Sequence, residues 1–130
     1  METRQAIRVE TVREFVANAH GNLERVKELL AAEPTLLNAA WDWGGGDWET
    51  ALGAAAHVGR RDIALFLLEG GARLDIFAAA MLGLTEIVES ILHAFPEMRS
   101  AKGPHGIPLV EHARIGGEPA SGVLKLLEVG

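Results

Sequence analysis

Glycine divides this chain into pairs of short helical segments, and that punctuation restricts the fold more than any other feature of the sequence. The clearest unit runs Thr50-Ala51-Leu52-Gly53-Ala54-Ala55-Ala56-His57-Val58-Gly59, then Arg60-Arg61-Asp62-Ile63-Ala64-Leu65-Phe66-Leu67-Leu68-Glu69-Gly70-Gly71-Ala72. It reads as two antiparallel helices. The first is small and alanine-rich, so the second can approach it closely, and the second carries Ile63, Ala64, Leu67 and Leu68 as one apolar stripe. Gly59 falls where the first helix must end in a left-handed cap, and Gly70-Gly71 close the second.

The same grammar returns three more times. Ala17-Asn18-Ala19-His20-Gly21 precedes Val26 and Leu29-Leu30; Ala79-Ala80-Met81-Leu82-Gly83 precedes Ile87-Val88 and Ile91-Leu92. Pro108-Leu109 and His112-Ala113-Arg114-Ile115-Gly116 precede Val123 and Leu126-Leu127. These units resemble the ankyrin repeat, best from Thr50 to Ala72 and more loosely over about Val12 to Glu128. The resemblance implies an all-α fold, an ankyrin-type α-solenoid of about four helix-turn-helix repeats in a single domain spanning residues 1–130. The repeats fall at about 12–40, 41–72, 73–100 and 101–130. Thr50-Ala51-Leu52-Gly53 lacks the proline and histidine of the family tetrapeptide, and His112 stands where a packed alanine belongs. The first and fourth repeats read as caps, whose outer faces meet water.

Repeat spacing is uneven. Gly21 to Gly59 is 38 residues, Gly59 to Gly83 is 24 and Gly83 to Gly116 is 33, against a usual period of about 33. In the family those connections hold hairpin fingers. The first, containing Trp41 to Trp48, is therefore expected to be enlarged. The second is expected to be deleted, with Asp75 capping a helix that starts near Ile76.

Composition excludes several classes. The net charge is −6 and the longest basic run is Arg60-Arg61, so the clustered positive field needed for nucleic-acid phosphates is missing. Cysteine is absent, which removes disulfides and thiolate chemistry. No stretch reaches the roughly 18 apolar residues of a membrane span, and a cytoplasmic monomer without cofactors is expected. The serines, Ser90, Ser100 and Ser121, sit in no nucleophile elbow. His20, His57, His93, His105 and His112 contain no pair at the i, i+4 zinc-helix spacing. Neither catalytic nor metal-ligating residues are assigned from sequence. Gly44-Gly45-Gly46 has no phosphate-loop context and reads as a hairpin tip.

Two features suggest binding. By position in the ankyrin unit, the residues before each repeat glycine face a concave groove: Ala19 and His20, His57 and Val58, Met81 and Leu82, Arg114 and Ile115. The enlarged finger adds Trp41, Trp43 and Trp48, interleaved with Asp42, Asp47 and Glu49, as aromatic anchors beside acidic groups that would select a cationic or hydrogen-bond-donating partner. The rings could instead fold over the Met81-Leu82 face and replace the packing of the missing finger. The resulting expectation is a non-catalytic module that recognises a protein or peptide. The alternative is a small-molecule site or enzyme, with a pocket under the finger around His57 and Asp47 or Asp42.

Overall fold

Caps set the element boundaries in the computed structural model, which describes residues 4–129. Helix α1 (Val9–Asn18) is followed by α2 (Leu23–Ala32), whose first turn is closed by Asn22 accepting from the Arg25 amide. A two-stranded antiparallel hairpin, β1 (Ala40–Asp42) and β2 (Trp48–Thr50), leads directly into α3 (Ala51–Val58). Thr50 ends the strand and caps the helix, its hydroxyl accepting from the Gly53 amide at 3.0 Å. Helices α4 (Arg61–Glu69), α5 (Ile76–Leu82), α6 (Thr85–Ala94), α7 (Leu109–Gly116) and α8 (Ser121–Glu128) complete the chain. Asp75 caps α5 as expected, accepting from the Ala78 amide at 2.8 Å.

Consecutive helices pack as pairs, α1 with α2, α3 with α4, α5 with α6 and α7 with α8, while α1, α3, α5 and α7 lie side by side. Small residues make that inner row possible: Ala51, Ala54, Ala55 and Ala56 of α3 and Ala78, Ala79 and Ala80 of α5 are fully buried. The closest approach is between α5 and α7, where a Cβ on Gly116 would lie 2.2 Å from the Met81 carbonyl oxygen. Gly83 combines φ 78° with a backbone neighbour, the Pro119 carbonyl, 1.9 Å from where a Cβ would stand, so no other residue fits there. Large core residues come from both rows: Phe15, Leu52, Met81 and Leu109 from the inner helices, and Val26, Ile63, Leu67, Val88 and Val123 from the outer ones. The fold is all-α apart from the small hairpin. No helix among the described residues is long and apolar enough to cross a membrane.

The connections differ as the spacing predicts. Between α4 and α5, residues 70–75 contain no strand. Between α2 and α3, the hairpin pairs Ala40 with Thr50, Trp41 with Glu49 and Asp42 with Trp48. Its tip places Gly44, Gly45 and Gly46 at positive φ, and the Asp42 carboxylate closes it by accepting from the Gly44 and Gly46 amides. The Arg60-Arg61 turn is more than a solvated link, because Arg60 donates to the Gly21 carbonyl and Arg61 to the Leu82 carbonyl, tying neighbouring pairs together.

Three groove residues need correction, the first being Ala19, which is fully buried. Met81 and Leu82 are 1% and 3% exposed and line no open surface, because α7 packs directly on α5. The tryptophan finger is not their cover. It turns toward His20 and His105 instead; Trp41 is half-buried against the core, and Trp43 and Trp48 are 37% and 61% exposed.

Candidate metal centre

Period-two alternation in β2 decides the centre of the site: Trp48 points to solvent, so Glu49 points inward. Its carboxylate is fully buried, which corrects the expectation that Glu49 selects a partner at the surface. Three histidines from three other segments converge on it. His20 follows the end of α1, His57 lies in the last turn of α3, and His105 occupies the loop before α7. Glu49 Oε1 is 3.2 Å from His20 Nε2, and Oε2 is 3.0 Å from His57 Nε2 and 3.3 Å from His105 Nε2. One donor atom from each of the four residues can be chosen so that all lie within 4.8 Å of one another. The imidazoles meet edge to face, with centroids 5.1 Å apart for His20–His57 and for His57–His105.

Groups behind the rings fix which nitrogen carries the proton. His20 Nδ1 is 3.1 Å from the Val16 carbonyl and 3.0 Å from the Ala17 carbonyl; carbonyls only accept, so Nδ1 is protonated. His105 Nδ1 is 2.6 Å from Asp47 Oδ2. The Asp47 carboxyl is held below its usual range by hydrogen bonds from the His105 amide and ring, so it too accepts. In the neutral form both Nε2 atoms therefore present lone pairs to Glu49. Burial pushes the Glu49 pKa up, but donation from His20, His57 and Trp43 outweighs this and brings it down to about 2, a lowering that requires positive charge or a proton between the imidazole nitrogens and the carboxylate. Glu49 Oε2 and His57 Nε2 are buried and 3.0 Å apart but not aligned for a hydrogen bond, and among the described residues neither has another partner.

Lone pairs aimed at a carboxylate repel it unless positive charge sits between them. Protonated imidazole meets this need in part, and the His20 pKa is raised, chiefly through its contact with Glu49. A metal ion meets it for all four groups at once. Metal–ligand bonds of about 2.0–2.2 Å in a tetrahedron separate the ligand atoms by about 3.4 Å, close to the 3.0 and 3.3 Å from Glu49 Oε2 to Nε2 of His57 and His105. Three imidazoles and one carboxylate suit zinc and its first-row neighbours rather than magnesium or calcium. Trp43 Nε1 donates to Glu49 Oε1 at 2.9 Å, which holds the carboxylate and leaves Oε2 as the free donor.

His105 is held in a demanding conformation. At φ 61° it is the one non-glycine residue in the left-handed region among the described residues, an arrangement that costs of order 1 kcal/mol and persists where surrounding contacts impose it. Asp47 imposes it, accepting from the His105 amide at 2.8 Å as well as from the ring.

Of the residues singled out from sequence, His20, Trp43, Asp47, Glu49 and His57 come together here. Trp41 contacts Trp43 from behind, at 6.5 Å between centroids. Val58, Arg114, Ile115 and Trp48 remain exposed at other positions. Asp47 pairs with His105 rather than His57, and Asp42 is committed to the hairpin tip. His105 was missed as a site residue, although Gly103-Pro104-His105-Gly106 is a tight-turn sequence that can force a histidine into place. The chain matches no family model, no curated protein and no solved structure.

Proposed function

We propose that this protein binds a divalent transition metal, with zinc the best fit, through His20, Glu49, His57 and His105. The scaffold is read as an ankyrin-type solenoid of four helix pairs, supported by the side-by-side inner helices. One observation carries the metal reading: Glu49 Oε2, buried and without an aligned hydrogen-bond partner, is faced by Nε2 of both His57 and His105, the latter turned toward it by Asp47. Asp47 and the carbonyls behind His20 serve as the outer partners that metal-bound histidines ordinarily have. Chelator-treated protein titrated with zinc in a calorimeter should bind one equivalent, and His57→Ala and Glu49→Gln should each weaken binding at least 100-fold. Absence of stoichiometric binding by the parent would overturn the reading.

A second reading, recognition of a protein or peptide, is supported by exposed apolar side chains: Trp48, Val58 and Ile115 are 61%, 36% and 51% exposed, with Arg114 beside them in sequence. Metal and partner binding are compatible. Pull-down with the parent and with Trp48→Ala tests it; equal recovery of every captured protein would remove Trp48 as an anchor.

A further inference from the structure

The geometry points to a further property of the proposed metal centre, on whose existence it rests: beyond its four protein donors the metal takes a fifth, exchangeable anionic ligand on its exposed side, one that binds through oxygen and carries an apolar substituent. Exposure around the cluster is one-sided. The Glu49 side chain is 0% exposed and that of His57 13%, whereas those of His20 and His105 are 27% and 33% exposed. A metal held there is roofed by β2 and reachable between His20 and His105. Four protein donors fill the tetrahedron of a zinc site, and zinc can expand to five-coordinate, so a further ligand adds from the side that His20 and His105 leave exposed.

Charge selects the kind of ligand. A divalent ion with Glu49 as its carboxylate donor retains one positive charge, and Asp47, the nearby acid, is already engaged by His105. An anionic oxygen donor completes neutralisation and displaces only water. Beside this opening stands Trp43, its ring 6.2 Å from His20 and 6.3 Å from His105, and 37% exposed. The same indole forms a wall of a cleft of about 600 Å³ whose apolar lining includes Val9, Ala17 and Trp41, with Glu10, Arg13 and Glu14 also on its walls. Trp43 is thus common to the metal centre and to an aromatic cleft, which gives the substituent a place to lie.

Cobalt(II) in place of zinc provides the test, because its visible absorption bands report a change of ligand. Acetate and benzoate bind through the same carboxylate oxygen donor and differ in the substituent. Both should alter the bands of the cobalt-loaded full chain, with benzoate binding about tenfold more tightly through burial of its ring. Unchanged bands with cobalt bound would overturn the exchangeable position while leaving the metal reading intact. Equal affinities would overturn the role of the cleft. Failure to take up cobalt or zinc would sink the metal reading itself, and this inference with it.

Discussion

Glu49 and His112 are both only 1% exposed, the two buried polar side chains among the described residues, yet their surroundings are opposites. Glu49 sits at the focus of three imidazoles and an indole donor from different segments. His112 packs against one ring, Phe77, at 4.9 Å between centroids, and its Nδ1 donates to the Pro108 carbonyl at 2.9 Å. Its Nε2, too, has no hydrogen-bond partner. Burial pushes the His112 pKa down, so the ring is accommodated by staying neutral, whereas the Glu49 carboxylate stays charged. An unpartnered buried atom on which other donors converge is a candidate binding site; where it is alone, it is a cost of packing.

The sharpest way to break this contrast is to add metal. Zinc at about 100 times its dissociation constant should stabilise the parent by about 2.7 kcal/mol and raise its Tm by roughly 10 °C. His112→Leu should keep that shift and Glu49→Gln should lose it. An equal shift in Glu49→Gln would place the metal elsewhere. A smaller effect is expected at the outer partner: Asp47→Asn should weaken zinc binding by about 10- to 100-fold, measured by competition with a chromophoric chelator. Undiminished affinity would show that His105 does not depend on Asp47 for its orientation.

Acidification of the metal-free protein separates the two centres by sign. His112 has a lowered folded-state pKa, so its favourable contribution is complete above the unfolded value of about 6.5 and is lost as pH falls from there toward the folded value. His57, Asp75 and Glu111 are the charged or titratable groups acting on it. His20 has a raised pKa, so its contribution is present below about 6.5 and is lost as pH rises through the folded value. Urea unfolding between pH 5 and 8 should therefore show less acid-side loss in His112→Leu than in the parent; an unchanged slope would refute the neutral-burial account. The smallest change is expected one residue from Glu49, on the other face of β2. Trp48→Ala should alter stability by no more than about 0.5 kcal/mol and leave zinc affinity unchanged, and a large loss in either would mean that the two faces of the strand are coupled.

Helix pairing was legible because its signals are local. Gly59 and Gly83 end α3 and α5 in the left-handed conformation, and Asp75 caps α5. The lengths of the connections likewise revealed a hairpin before α3 and none before α5. The candidate site was hidden because its ligands are separated by 29, 8 and 48 residues. Zinc motifs read along one helix detect i, i+4 pairs and nothing assembled across segments. The burial of Met81 and Leu82 was hidden for a related reason. It depends on how closely α7 approaches α5 at Gly116, a distance that no pattern within either helix encodes.

Repeat arrays commonly gain or lose whole units, since each unit touches only its neighbours. The ring of groups around Glu49 places a different demand on this chain. His20 belongs to the first helix pair, His57 to the second and His105 to the loop entering the last, so inserting or removing a pair would pull the ring apart. The chain between His20 and His105 is therefore fixed in its number of helix pairs by a side-chain cluster, whereas a pair added beyond α8 would leave the four side chains in contact.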